Sequence, residues 1–239
     1  MRPESPVCPS LVAWGNAWLT GHVGLDEASD QVEAVAGPVV TGDVPLRAYL
    51  ANLRADGLHE LRLALPAPGD PLGLSGPAPF NAAAVDAGQA AIAVLRDRRL
   101  GLVPAPDLRG SSYSGVRLEI HEAGPVRQDL PSLAEAEHEL SAAMRSATEA
   151  LSAAEGPAQS RPDRLGHRGG ELAPGYPGRA HRVATLATRL AAVLRLADER
   201  GLTSAQIAAR GAALRELDRA VRRALVAAHH AIFEPLRQA

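Results

Sequence analysis

The chain has 239 residues, of which 25 are basic and 27 are acidic, and every basic residue is an arginine. Without lysine, the chain cannot form a Schiff base, supply the phosphate-binding lysine of a P-loop, or supply the β3 lysine of a protein kinase. The net charge of −2 gives no global attraction to nucleic acid or acidic membranes, and the single cysteine, Cys8, excludes an internal disulfide and a cysteine-rich zinc site.

Three short helices are predicted in the N-terminal part of the chain. Leu11, Trp14 and Trp18 recur at helical spacing and form one apolar face, which predicts a helix whose tryptophans anchor the core. Docking of a partner protein is the alternative use of this tryptophan face. The apolar residues of 26–36 and 45–54 follow the same period, which predicts a second and a third helix.

The middle of the chain has the patterns of β-strands. Apolar and polar side chains alternate over residues 61–65 and 116–120, as in strands with one buried face. Residues 90–95 are apolar without alternation, which is typical of a central strand buried on both faces, and residues 100–103 are a fourth candidate strand. A helix over 80–87 precedes the central strand. These patterns predict a small three- to four-stranded sheet flanked by the N-terminal helices.

The C-terminal part is predicted to be a helical hairpin or bundle. Ser132 and Glu135 have the spacing of a capping box before one amphipathic helix, and Thr203 and Gln206 repeat that spacing before the last helix. Between these helices, five apolar residues step by three and four, which indicates a narrow seam for helix-on-helix packing. These residues are Val183, Leu186, Leu190, Val193 and Ala197.

Together these patterns predict an α+β protein with two parts. Residues 1–124 form a domain of helices and a small sheet, and residues 125–239 form a helical arm. The arm is interrupted by residues 156–178, which contain four prolines, six glycines and few aliphatic residues. Such a composition cannot bury enough apolar surface to offset the entropy of ordering, so we expect a flexible loop there.

The first candidate site is the glycine-rich loop 66–79, which runs from a predicted strand into the 80–87 helix. Backbone N–H groups in such a loop, at a helix N-terminus, can bind an anion. The spacing of the glycines matches neither G-x-G-x-x-G nor the P-loop, and five prolines remove backbone donors. A rigid surface connection is therefore the competing interpretation. The candidate ligand-binding residues are Gly69, Asp70, Gly73, Gly76 and Asn81.

The second candidate site is a set of arginines on the last two helices: Arg182, Arg189, Arg215, Arg219 and Arg222. The planar guanidinium group suits the recognition of carboxylates and phosphates. Glu216 and Asp218 are interleaved with these arginines, and aromatic residues for base stacking are almost absent, so an acidic protein surface is favoured over nucleic acid. The competing interpretation is a solvated helix face with ion pairs within the helix.

No pattern predicts a catalytic residue, a metal site or a cofactor. Glu135 and His138 form a single Glu-x-x-His pair, whereas a carboxylate-bridged di-iron bundle needs two such pairs and two further glutamates. His229 and His230 are adjacent on a helix, so their side chains point about 100° apart. The sequence lacks the G-x-S-x-G and H-E-x-x-H motifs of hydrolases and zinc proteases.

We therefore expect a non-catalytic interaction or regulatory protein that acts through its amphipathic C-terminal helices. Its ligand would be a partner protein or, in a homodimer, a second copy of the chain. One alternative is a small-anion binding protein or an enzyme that uses the 66–79 loop. The other is nucleic-acid binding through the arginine face. Because the sequence has neither a signal-peptide pattern nor the roughly 18 consecutive apolar residues of a membrane span, we expect a cytoplasmic location.

Overall fold

The computed structural model describes residues 7–74, 76–108, 114–125, 131–152, 171–198 and 206–234. In these ranges the chain has an α+β fold, in which N-terminal helices and a six-stranded mixed sheet are followed by a bundle of three helices. The predicted α+β class and C-terminal bundle are confirmed. The helices are α1 (Val7–Leu19), α2 (Leu25–Ala36), α3 (Leu46–Ala55), α4 (Ala78–Ala87), α5 (Leu133–Ser152), α6 (Gly178–Asp198) and α7 (Gln206–His230). None of these described helices combines the length and apolarity that crossing a membrane requires.

Six strands form one sheet in the order β2-β1-β6-β5-β4-β3. They are β1 (Val39–Thr41), β2 (Val44–Pro45), β3 (Glu60–Ala64), β4 (Ala90–Val94), β5 (Arg99–Asp107) and β6 (Gly115–Glu122). β1 pairs parallel to β6, and all other neighbours pair antiparallel. The prediction of three to four strands was too small, because β1 and β2 have only three and two residues and cannot show an alternating pattern.

Helices cover both faces of the sheet at its centre. Ala91 and Ala93 of β4 belong to the core beneath α1, whereas Ile92 belongs to a smaller core beneath α4. All β4 residues are buried, which confirms the prediction of a central strand covered on both faces. On the α4 side, a Cβ at Gly101 would lie 2.2 Å from the ring of Phe80, so only glycine lets this ring approach the strand.

α1 connects the sheet to the C-terminal bundle. Leu11 packs in the core beneath α1, Ala17 packs in the bundle core, and Trp14 packs against both. The buried Asn16 binds the edge strand β3, because its Nδ2 donates to the Leu61 carbonyl at 2.7 Å and its Oδ1 accepts from the Leu61 N–H at 2.8 Å. Because Trp14 packs against both cores, it holds two parts of the fold together. This position agrees with the core interpretation of the tryptophans.

α7 is the central helix of the bundle, because it packs against both α5 and α6, which contact each other little. It also reaches the sheet, where Val226 joins the core beneath α1. The capping box predicted at the start of α5 is confirmed, since the Ser132 N–H donates to Glu135 at 2.9 Å and the Glu135 N–H donates to Ser132 Oγ at 3.3 Å. Thr203 of the second predicted box lies outside the described residues.

The loop predicted over 156–178 is only partly visible, because residues 156–170 lie outside the described ranges. The remaining residues, which lead into α6, pack against the bundle. Leu172 is buried there, and the buried Tyr176 hydroxyl donates to the His229 carbonyl of α7 at 3.0 Å. Because these side chains belong to the bundle core, packed structure begins before residue 178.

Candidate functional site

The glycine-rich loop 66–79 connects β3 to α4 and lies close to the sheet. Gly73 has a φ of +83°, and a Cβ at this position would lie 3.4 Å from a backbone oxygen of β3, so the loop needs glycine here. At the end of the loop, the Gly76 N–H donates to Asn81 Oδ1 at 3.0 Å. One backbone donor at the start of α4 is therefore bound by the protein itself.

Asp70 brings the two sequence candidates together. It follows Gly69 in a tight turn that is closed by hydrogen bonds between the backbones of Ala67 and Asp70. The Asp70 carboxylate accepts from Nη2 of Arg222 at 2.9 Å and lies 3.5 Å from Nε of Arg219. The loop and the arginine face of α7 therefore meet in a direct ion pair, although 152 positions separate Asp70 from Arg222 in the sequence.

All three guanidinium nitrogens of Arg222 are bound by the protein. Nε donates to Asp218 at 2.9 Å, Nη1 donates to the Leu65 carbonyl at 2.8 Å, and Nη2 donates to Asp70. Only 14% of the Arg222 side chain is exposed, against 62% for Arg219. Arg222 thus clamps α7 to the chain just after β3, and the Asp70 carboxylate takes the place of an external anion.

The other three arginine candidates are exposed. Arg215 lies on α7, and Arg182 and Arg189 lie on α6. At about 100° per residue, Arg182, Leu186, Arg189 and Val193 share a sector of about 60° on the surface of α6. Leu186 is 39% exposed and Val193 is 46% exposed. We call these four α6 residues the outer stripe.

The outer stripe contains two of the five residues of the seam that the sequence predicted for helix packing, Leu186 and Val193. Over residues 178–195, the buried residues of α6 are Ala180, Val183, Ala184 and Ala187. Of the predicted seam, Val183 is buried, but Leu186 and Val193 are exposed, so the predicted orientation of α6 was wrong in part. The alanines pack in the bundle core together with Val183, and Leu190 and Leu194 are partly buried against the same core. Among the larger aliphatic side chains of residues 178–195, only Leu186 and Val193 are exposed.

The outer stripe is also positively charged. α6 contains four arginines and, before its last residue, no acidic residue. Arg179 at its N-terminus is paired with Glu137 of α5 at 2.6 Å. Along the outer stripe, Arg182 and Arg189 alternate with the two exposed aliphatic residues. The surface of α6 is therefore apolar and basic, and its own helix supplies no carboxylate along the stripe.

The weaker sequence candidates have structural roles or are isolated. In the described part of the chain, no group of three His, Cys, Asp or Glu side chains could hold a metal ion. Glu135 is used by the α5 cap, and His138 is exposed. Cys8 is buried, and burial raises the pKa of its thiol, so it is not a nucleophile at neutral pH.

Sequence reasoning missed a polar contact between α7 and the edge strand β3. His230 Nδ1 lies 3.4 Å from Glu60 Oε1, and the same carboxylate is paired with Arg62 at 2.8 Å. Burial lowers the pKa of His230, while the negative charge of Glu60 opposes this shift. The neighbouring His229 is completely buried, which lowers its pKa to about 4, and its Nδ1 donates to the Leu225 carbonyl at 2.7 Å. The alternation of β3 places Glu60 and Arg62 on one face, but it does not point to residue 230.

A shallow depression beside the turn between β4 and β5 includes none of the predicted site residues. Its lining residues are Asp56, Leu95, Asp97 and Arg98. Arg98 and Asp56 form an exposed ion pair at 3.0 Å across it. The depression is open to solvent, and its arginine is already paired with Asp56, so it adds nothing to either candidate site.

Comparison with known proteins identifies a family. No curated protein and no solved structure matches the chain. The family model of the Rv1486c-like protein N-terminal domain matches residues 8–131, which cover the N-terminal helices and the sheet. The model of the Rv1486c-like protein C-terminal domain matches residues 134–226, which cover most of the bundle. Because the two matches together span most of its length, the chain belongs to the Rv1486c-like protein family.

Proposed function

We propose that the chain is a protein-interaction module and that its partner binds at the outer stripe of α6. The observation that supports this proposal most directly is the exposure of Leu186 and Val193, which lie in line on one helix and alternate with Arg182 and Arg189. Single exposed aliphatic residues are common on protein surfaces. Two that lie in line on one helix, seven residues apart, have the spacing of a helix-in-groove contact.

The size of the stripe supports a transient contact rather than an obligate one. Covering the exposed parts of Leu186 and Val193 would stabilise a complex by about 1–2 kcal/mol each. Obligate interfaces are larger and more hydrophobic than this. The outer stripe therefore acts as an anchor, to which the partner adds contacts from neighbouring parts of the surface.

The anion-binding and nucleic-acid alternatives have less support. Asp70 binds Arg222 and lies beside Arg219. The loop 66–79 therefore supplies its own negative charge to these two arginines, at the place where an external anion would bind. An incoming phosphate would have to displace a carboxylate that is only 18% exposed. For nucleic acid, the ion pair with Asp70 removes Arg222 from the surface that would bind phosphates, and the exposed Arg219 already faces the same carboxylate.

Photo-crosslinking at defined positions in the native host tests the proposal. A photoreactive phenylalanine analogue replaces Leu186 or Val193 in the full chain, and the same analogue at the exposed Ala142 of α5 or Ala51 of α3 is the control. We expect both α6 positions to give an adduct with the same protein, identified by mass spectrometry, and the control positions to give none. Equal labelling at all four positions, or no adduct from α6 in chains that circular dichroism shows to be folded, would contradict the proposal.

A further inference from the structure

The sheet has an open edge on the second half of β6, away from the outer stripe of α6. In the described part of the chain, β1 pairs with β6 only at Val116 and Arg117, so the later residues of β6 have a neighbouring strand on one side only. We call residues 119–122 the open edge. We infer that the open edge binds an extended, basic segment of another protein, which adds a strand to the sheet beside β6.

The backbone hydrogen-bonding groups of β6 point alternately to its two sides. The Val116 N–H donates to the Pro38 carbonyl, next to β1, at 2.9 Å, whereas the N–H of Ala123, just after β6, donates to a β5 carbonyl at 3.2 Å. In an antiparallel pair, successive residues of a strand alternate between bonding to the partner strand and pointing away from it. Even-numbered residues of β6 therefore point away from β5, and the N–H and C=O groups of Ile120 and Glu122 face the open edge.

These groups of Ile120 and Glu122 have no strand to bond to among the described residues. β1 ends at Thr41, and its pairing with β6 ends at Arg117. The side chain of Ile120 is 50% exposed, so the described part of the chain leaves this stretch of β6 uncovered. The unpaired backbone groups of an edge strand are a template to which another extended chain can add. Main-chain hydrogen bonds then give affinity, and the side chains on the two faces give specificity.

The open edge is acidic on both faces of the sheet. Glu119 and Glu122 are exposed, and they lie on opposite faces because side chains alternate along a strand. Within the described residues, neither carboxylate is paired with an arginine, and the 3.9 Å contact of Glu119 with His121 is an ion pair only when the histidine is protonated. A strand with basic residues opposite both glutamates forms favourable cross-strand pairs, whereas an acidic strand places like charges opposite each other.

The same charges disfavour a second copy of the chain. In a symmetric pair of open edges, each copy contributes the same four residues. Glu119 and Glu122 of both copies would then place four carboxylates in one short ladder. Like charges on paired strands are destabilising, and charged side chains on an edge strand are a means by which proteins prevent edge-to-edge pairing. The open edge therefore favours a basic chain over a second β6.

The order of side chains along the open edge specifies the segment that fits it. The two glutamates are three positions apart, and the exposed Ile120 lies between them. An aliphatic residue opposite Ile120 makes an apolar cross-strand pair. The segment therefore has two basic residues three positions apart with aliphatic, β-branched residues between them, which also favour the extended conformation.

Amide hydrogen exchange, measured by NMR on the free full chain, tests whether the edge is open. The N–H groups of Glu119 and His121 bond to β5 and should exchange slowly. Those of Ile120 and Glu122 should exchange about 100-fold faster, because they face solvent. Slow exchange of all four amides would show that the edge is already paired and would overturn the inference.

Fluorescence anisotropy with three labelled peptides and the full chain tests the strand pairing. The first peptide has about ten residues, with Arg-Val-Val-Arg at its centre and threonines on both sides. The second has glutamate in place of both arginines. The third keeps the arginines but is N-methylated at the four central residues, so it retains the charge without the main-chain donors. We expect the first peptide to bind about ten-fold more tightly than either of the others at about 0.01 M salt, and to slow the exchange of the Ile120 and Glu122 amides.

Variants of β6 separate the backbone of the open edge from its charge. Ile120→Pro removes an N–H that points away from β5, so it costs no bond within the sheet, and we expect the arginine peptide to bind about ten-fold more weakly. Glu119→Gln with Glu122→Gln keeps every backbone group, and the ratio of affinities for the arginine and glutamate peptides should fall to about one. If the proline variant does not give a normal thermal melt, the glutamine variant decides. Leu186→Gln with Val193→Gln on α6 is the control and should bind the arginine peptide like the wild type.

Four results would overturn the inference. Binding of none of the peptides, or equal binding of the arginine and glutamate peptides, would show that the open edge does not select a basic segment. Equal binding of the N-methylated peptide would mean attraction by charge without strand pairing. Protection of the Ile120 and Glu122 amides that grows with protein concentration, without peptide, would assign the edge to a second copy. Loss of binding in the α6 control would move the peptide to the outer stripe. The first three results leave the proposed function standing, because the α6 crosslinks report on a different surface.

Discussion

α6 and α7 are neighbouring helices that are both rich in arginine, but they use this residue differently. On α7, Arg222 binds Asp70, and Arg223 binds Glu139 of α5 at 3.1 Å. These side chains hold parts of the protein together. On α6, the outer stripe alternates arginine with exposed aliphatic residues, and the buried side of the helix is made of alanine and valine.

The positions of the two helices in the fold explain this difference. α7 has α5, α6 and β3 as neighbours, so its long side chains meet carboxylates and backbone carbonyls of the protein. Among the described residues, α6 packs mainly against α7, and Arg182, Leu186 and Val193 are exposed. An arginine-rich helix is therefore a candidate for recognition only where the fold leaves one of its faces free, and composition alone does not show which helix that is.

The largest expected effect is at the buried side of α7, where His229 makes stability depend on pH. Burial lowers the His229 pKa from 6.5 to about 4, so the unfolded chain takes up a proton at a pH where the folded protein keeps this histidine neutral. The stabilising contribution is complete above pH 6.5 and is lost as the pH falls to about 4, with a total loss of about 3 kcal/mol. Urea unfolding at a series of pH values measures this loss.

His229→Gln is the matched variant, because glutamine stays neutral and can still donate to the Leu225 carbonyl. The free energy of unfolding of this variant should fall less between pH 6.5 and about 4 than that of the wild type, by about the same 3 kcal/mol. Ala142→Gln, at an exposed position of α5, should keep the wild-type pH dependence. An unchanged pH dependence in His229→Gln would show that burial of a neutral His229 is not its cause.

The second effect concerns the clamp between α7 and the glycine-rich loop. Arg222→Ala removes the hydrogen bonds to Asp218, Leu65 and Asp70, and it leaves a largely buried carboxylate without its main partner. We expect the free energy of unfolding to fall by about 2 kcal/mol in urea titrations. Arg219→Ala removes the more exposed arginine and should cost less than about 1 kcal/mol.

A double-mutant cycle shows whether the ion pair itself is responsible. Asp70→Ala and Arg222→Ala are measured singly and together, and we expect a coupling energy of about 1–2 kcal/mol. A coupling near zero would mean that Arg222 acts through Asp218 and Leu65 alone. The loop would then not be part of the contact that holds α7.

Much of the fold could be predicted because its signals are local. Gly88 ends α4 in the left-handed conformation, with a φ of +71°, as its position after an apolar helix predicts. β5 shows where local signals fail, since it continues through Pro104 and Pro106, although proline normally interrupts strands. β4 pairs with β5 only as far as Leu102, so both prolines lie beyond that pairing and remove no bond to β4.

The candidate sites were only partly predictable for a different reason. The glycines around Asp70 and the arginines around Arg222 each have a local pattern, but their contact depends on how α7 crosses the end of β3. The seam on α6 shows the same limit. Its spacing places Val183 and Leu186 on one side of the helix, but it does not show that Val183 packs with the alanines in the bundle core while Leu186 is exposed.

The third effect tests that alanine face. Ala187→Leu adds three carbon atoms at a fully buried position of α6, and we expect a loss of about 1–2 kcal/mol in stability because the helices must move apart. Ala212→Leu makes the same change at an exposed position of α7 and should alter stability by no more than about 0.5 kcal/mol. Thermal unfolding of the two variants compares them directly. Equal losses would show that α6 does not pack through its alanines.

The smallest effect is expected at the outer stripe, and its small size is informative. Leu186→Gln with Val193→Gln keeps good helix-forming residues and removes only exposed apolar groups, so stability should change by no more than about 0.5 kcal/mol. Val183→Ala, on the buried side of the same helix, should cost about 1–2 kcal/mol. If the glutamine variant melts like the wild type but loses the α6 crosslinks, the aliphatic residues of the stripe serve binding and not folding. A large loss of stability in the glutamine variant would instead show that the stripe is packed within the protein, and the contrast between α6 and α7 would no longer hold.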